Sequence, residues 1–194
     1  MKKGLTAVGL MLVITVTTWA LSTPANPILH LFAVAQLCGA LALTGFAAGL
    51  VISTRLPVIT ALFVDDHKMT TVHKWVGIVS VCFVLVHIGL LVYVTVADNV
   101  PPLTSMLAHI GPLAATCFVG LTVIALVGAK MKHSTWLAIH KFMAVPYVIG
   151  LVHYYGCSFF KPLGLTPLSI WMDLLTLAGL SAAVYGIFLR RPTT

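Results

Sequence analysis

The sequence predicts an all-α membrane protein, a bundle of about six transmembrane helices. Three observations carry that prediction. Of the 194 residues 60% are hydrophobic and only 8% are charged, whereas a soluble domain carries about 25% charged residues. Six stretches reach the length of about 20 mainly apolar residues that crosses a hydrocarbon core. The Lys and Arg residues gather at the ends of those stretches, almost all on one side. With a mean hydropathy of +1.07, the chain has too few charges to cover a water-facing surface, so lipid is the solvent for most of its side chains.

The stretches run roughly over 5–22, 28–53, 73–97, 109–129, 135–157 and 168–189. Turn-like sequence separates them: Thr23-Pro24-Ala25-Asn26-Pro27 after the first, Pro101-Pro102 after the third, Lys161-Pro162-Leu163-Gly164 after the fifth. The longest non-apolar stretch, 54–72, holds Arg55, Asp65, Asp66, His67 and Lys68. Almost all the length is span, so residues 1–194 are expected to form one domain with no extramembrane core of its own.

Lys2, Lys3, Arg55, Lys68, Lys74, Lys130, Lys132, Lys141, Arg190 and Arg191 fall on one side, and only Lys161 on the other. Positively charged loops stay in the cytoplasm, so both termini are expected there, in a bacterial inner membrane. The same placement explains the net charge of +7 as a topology signal, and no nucleic-acid partner is expected. Lys2-Lys3, an apolar run and Ala20-Leu21-Ser22 also resemble a secretory signal; residues 1–22 are read as a retained first span, the run being long for a signal. Cys38, Cys82, Cys117 and Cys157 are scattered without a CxxC and are expected to be buried small hydrophobes.

Eight histidines in so apolar a chain need sorting, because ionisable groups inside a membrane are costly. His67 and His133 fall in charged loops and are read as ordinary loop residues, His30 and His109 as interfacial residues at the outer side. The other four form a pattern. The third span places His73 at its inner end and His87 fourteen residues on; the fifth places His140 at its inner end and His153 thirteen residues on. At 1.5 Å rise per residue the separations are about 21 and 20 Å, so each helix offers one imidazole near the cytoplasmic face and one in the outer half. One span separates the two helices, which therefore run parallel. Axial ligation of two b haems follows, His73 with His140 and His87 with His153, the haems lying between the third and fifth spans. With both axial positions filled, such iron is suited to electron transfer.

Helical phase supports this only in part. Fourteen residues return to within about 40° of the starting face, but thirteen leave an offset of roughly 140°. Pro146 lies between the two histidines of the fifth span and is a site for a bend. Gly77 and Ala144 each follow an inner histidine by four residues, where a small side chain admits a macrocycle. Lys74 and Lys141 follow the inner histidines directly and are placed to meet haem propionates, although lysine at a membrane interface also needs no further cause.

His73-Lys74-Trp75-Val76-Gly77 through His87, and His140-Lys141-Phe142 through His153, resemble the ferric reductase-like transmembrane domain, the haem core shared by ferric reductases and NADPH oxidases. The resemblance covers spans two to six. That family pairs a fourteen-residue histidine separation with a thirteen-residue one, whereas cytochrome b of the quinol-oxidising complexes is alike at both pairs and has more helices. It implies two b haems passing electrons from a cytoplasmic donor to an outer acceptor. Larger members continue into a flavin- and NADPH-binding domain, while this sequence stops at Arg190-Arg191-Pro192-Thr193-Thr194. The donor is then a separate flavin- or nicotinamide-dependent reductase, free reduced flavin, or a quinol. NADPH oxidases keep another histidine four residues beyond the outer ligand of the earlier helix; here that residue is Leu91, which argues against dedicated superoxide production.

The expected function is a membrane cytochrome b serving an outer acceptor such as a ferric chelate, oxygen or a periplasmic reductase. The non-enzyme alternative is a His-rich metal transporter or assembly subunit, which would more often show carboxylates along its path. Asp173 is the only carboxylate within an apolar stretch and is read as an interfacial helix-start residue.

Overall fold

The computed structural model describes residues 2–23, 30–97, 106–157 and 166–189. The turn segments expected at 24–27, 101–102 and 161–164 lie outside these residues, as do Asp98, Lys161, Arg190 and Arg191. Six helical segments among the described residues are long and apolar enough to cross a membrane. In chain order the helices are α1 (Lys2–Ser22), α2 (His30–Ser53), a single turn α3 (Pro57–Thr60), α4 (Asp66–Ala97), α5 (Met106–Val127), α6 (His133–Lys141), α7 (Ala144–Cys157) and α8 (Pro167–Val184). A π-helical turn, Tyr185–Leu189, continues α8.

The second span, α2, is the centre of the bundle. Of its spanning window 67% is buried, against 11–28% for the other five. Its composition is the reason: Cys38-Gly39-Ala40-Leu41-Ala42-Leu43-Thr44-Gly45-Phe46-Ala47-Ala48-Gly49 is rich in small residues, which let helix backbones approach closely in lipid. It packs against α4, α8 and α1, while α5 packs mainly against α7. At Gly45 there is no room for a Cβ because the Ser80 hydroxyl of α4 occupies that place. The outward faces carry Leu10, Val13, Val86, Val92 and Leu177, all exposed, as a lipid-facing surface should.

Two boundaries differ from the expected ones for physical reasons. The third span was expected to begin at 73, yet α4 begins at Asp66. Asp65 caps it: its carboxylate accepts the Lys68 backbone N–H at 2.7 Å, an N-cap bond to the third helical residue. That bond, first among the causes, holds the Asp65 carboxyl below its ordinary value. The helix thus runs two turns beyond the apolar run, and His67 is an exposed first-turn residue of α4, not a loop residue. His133 likewise opens α6. Arg55 ends α2 in the left-handed region (φ 54°), a cap position where glycine is usual, and its guanidinium reaches Asp66 at 3.1 Å.

The fifth span is broken where a bend was expected. α6 ends at Lys141 and α7 starts at Ala144; Phe142 and Met143 between them, and Val145 in the first turn of α7, donate to carbonyls three residues back, at 2.9–3.1 Å. Pro146 has no N–H to return to Phe142 and its ring would crowd that carbonyl, so the chain restarts with the proline in the first turn of a new helix. Tightened turns advance the helical phase faster than an α-helix does.

α1 is tied into the bundle by polar contacts. The Thr15 hydroxyl, fully buried, lies 2.9 Å from the Thr44 hydroxyl and accepts the Trp171 indole N–H at 2.8 Å. The Leu168 N–H of α8 donates to the Ser22 hydroxyl at 3.0 Å.

Candidate functional site

The four intramembrane histidines meet in two pairs across the gap between α4 and the broken fifth span. The rings of His73 and His140 have centroids 5.8 Å apart and planes at 77°. Those of His87 and His153 are 6.4 Å apart, again at 77°. Two imidazoles on opposite sides of one metal ion have centroids roughly 6 Å apart, since each metal–nitrogen bond is about 2 Å and each ring adds about 1 Å. The thirteen-residue separation therefore does not turn His153 away, because the break at Phe142–Met143 realigns the second half of the span.

α2 fixes the orientation of both α4 rings. His73 Nδ1 lies 3.1 Å from the Gly49 carbonyl and His87 Nδ1 lies 2.7 Å from the Ala35 carbonyl. A carbonyl only accepts, so Nδ1 carries the proton in each ring and Nε2 keeps its lone pair for the gap. That is the second-shell arrangement of metal-bound imidazole. Gly49 and Ala35 are fourteen residues apart, as are His73 and His87, so two antiparallel helices repeat one contact at two depths. The α7 ring is held differently: His153 Nδ1 lies 3.5 Å from the Cys157 sulfur one turn on. His140 Nδ1 is buried with no hydrogen-bond partner among the described residues, and its ring is stacked on Trp136 at 4.8 Å and 10°.

A cavity of about 310 Å³ surrounds the outer pair. Its walls are Gly39 and Phe46 of α2, Val84 and Leu91 of α4, Gly111 of α5 and Tyr154 of α7, with His87 and His153 facing into it. Glycine is required at Gly111: a Cβ there would stand 2.6 Å from the His153 ring. At Gly39 it would come within 3.2 Å of His87. Phe46 and Phe118 stack face to face, 3.7 Å between centroids.

The donor set suits a porphyrin. Among the described residues no three His, Cys, Asp or Glu side chains converge as they would on a bare ion. Two imidazoles per site are what a haem needs, because the macrocycle supplies the other four nitrogens.

The remaining expected residues fall as follows. Lys74 and Lys141 are exposed beside the inner pair, Ala144 is buried, and Gly77 faces open space. His109 is exposed, and the His30 side chain lies outside the described residues. Of the four cysteines only Cys38 is buried; Cys117 and Cys157 are half-buried and Cys82 is exposed, so the expectation of four buried cysteines fails. Asp173 is not a helix-start carboxylate: the first turn of α8 has none, and Asp173 accepts the Tyr155 hydroxyl at 2.6 Å, with Thr176 3.0 Å from the same oxygen. The Ala35 and Gly49 carbonyls and Gly111 were not foreseen from the sequence; of these only Gly49 lies in the small-residue run of α2, and Gly111 is on α5.

Residues 38–151 match the family model described as ferric reductase like transmembrane component. The chain belongs to this family. The match includes His73, His87 and His140 and stops two residues short of His153; α1 and α8 lie outside it. Transmembrane domains of this ferric reductase family generally bind haem and transfer electrons across membranes. No curated protein matches the chain.

Proposed function

We propose that this ferric reductase-like protein is a membrane cytochrome b that carries electrons outward through two bis-histidine b haems. His73 and His140 would hold the inner haem, His87 and His153 the outer one. One observation carries the reading: two facing histidine pairs, each with an α4 ring whose Nδ1 is tied to an α2 carbonyl, leaving Nε2 toward the gap. Haem held there would supply one-electron chemistry.

The chain's own residues position and insulate. The Gly49 and Ala35 carbonyls orient the α4 rings and make them better donors to iron. Gly39 and Gly111 keep space beside the outer rings, and the apolar walls of the outer cavity exclude water. Lys74 and Lys141, exposed and next in sequence to the inner histidines, would pair with propionates of the inner haem. About 21 Å of α4 separates its two histidines, most of a core about 30 Å thick. The Lys- and Arg-rich face is the cytoplasmic one, in a bacterial inner membrane with both termini inside. Electrons enter there from a soluble flavin- or nicotinamide-dependent reductase and leave to an outer acceptor such as a ferric chelate or a periplasmic reductase.

The test is spectroscopic. Chain purified in detergent should show a b-type spectrum that sharpens on reduction. Low-temperature EPR of the oxidised form should show low-spin ferric signals from bis-imidazole ligation. A colourless, metal-loaded preparation would refute the reading.

A further inference from the structure

The inner pair is joined to the basic face by a stack of rings that haem ligation does not require. His133, Trp136 and His140 stand at helical spacing on α6, so three and four residues apart they share a face. The Trp136 indole stacks on His140 at 4.8 Å and 10°. On the other side, three residues earlier, the His133 ring lies 5.8 Å away at 22°. The indole is pinned: its N–H donates to the Ala125 carbonyl at 3.3 Å, and a Cβ at Gly128 would collide with its ring. His133 is exposed. A continuous path of rings thus runs from the exposed His133, through a fixed indole, to a ring of the inner pair.

Charge around that path is one-sided. Lys130, Lys132, Lys141 and Lys74 are all exposed. The two described acids of this face are already engaged, Asp66 with Arg55 at 3.1 Å and Asp65 with Lys68 at 3.3 Å. No acidic residue occurs anywhere between 99 and 172. The positive-inside rule accounts for the sign of this charge; it does not account for the stack.

We infer that α6, with Lys130 and Lys132 before it, is the electron-entry port, a docking surface for an acidic soluble flavoprotein. This inference rests on the cytochrome reading above. A small nucleotide takes a concave pocket, whereas α6 has no buried residue and presents a convex rim about 14 Å long with lysines to either side. That shape suits a protein partner, and small, charge-steered contacts are typical of electron-transfer encounters. In each encounter one electron leaves the partner's reduced flavin, which is oxidised, and reduces the inner ferric iron to ferrous. The flavin's proton goes to cytoplasmic water.

The experiment uses the full chain in lipid nanodiscs and oxidised flavodoxin as the acidic probe, with binding read by biolayer interferometry. Binding should weaken at least about tenfold between low and high salt, and by a similar factor in the Lys130→Glu/Lys132→Glu double variant. Binding does not need haem, so its outcome is separate from the haem spectrum that tests the cytochrome reading. In stopped flow, Trp136→Leu should slow haem reduction by reduced flavodoxin relative to reduction by dithionite of the same sample. Trp136→Phe should restore the rate. Salt-independent or absent flavodoxin binding would overturn the proposal, as would native binding by the double variant. So would a Lys130- and Lys132-dependent response to free reduced FMN without one to flavodoxin, or a Trp136→Leu rate equal to wild type.

Discussion

Each α4 histidine carries two relationships, one to a ring across the gap and one to a carbonyl behind it. Removing the imidazole removes both. His73→Ala is expected to lower haem content from about two per chain to about one and to leave the outer haem spectrum in place, while His87→Ala does the converse. Pyridine haemochrome analysis against protein mass checks the count; full occupancy in either variant would remove that residue from the ligand set. The glycine beside His153 makes a subtler case. Gly111→Val would drive a side chain into the ring space and should deplete the outer haem. Gly120→Val, on the same helix with nothing within 4 Å of its Cβ, should leave haem content unchanged and stability within about 0.5 kcal/mol.

At the scale of elements, the contacts of α1 argue that it is part of the bundle. Thr15→Val removes hydrogen bonds to two other helices, α2 and α8, and strands the Trp171 indole N–H. Interhelical hydrogen bonds in membranes average about 0.6 kcal/mol each, so a loss of about 1 kcal/mol is expected, seen as a lower Tm in detergent. An unchanged Tm would mean that α1 contributes little. Six spans were legible because lipid imposes a length and a composition that no other context mimics. The histidine pairs were legible from their matching depth. The break at Phe142–Met143 was half legible: Pro146 marks the place, but simple phase arithmetic turns His153 away from its partner because it omits the tightened turns. The start of α4 was not legible, because residues 66–72 are polar and helix continuing into water carries no apolar signal. Nor were the Ala35 and Gly49 carbonyls, since every residue has a carbonyl and only the packing of α2 on α4 selects these two.

Across the whole molecule, two ring pairs about 21 Å apart along α4 and a basic face at one end give the bundle a direction. The sidedness is testable by itself. Lys132→Cys should resist a membrane-impermeant maleimide in intact cells and react once the membrane is opened; labelling of intact cells would reverse the orientation. The central claim is that two haems, each held by a histidine from α4 and one from the fifth span, connect the two faces. The most direct measurement is the haem-to-protein ratio of the purified chain by pyridine haemochrome, taken with low-temperature EPR of the oxidised form. The account predicts about two b haems per chain, both low-spin and bis-imidazole in character. A ratio near zero, or a high-spin signal with an open axial position, would contradict it.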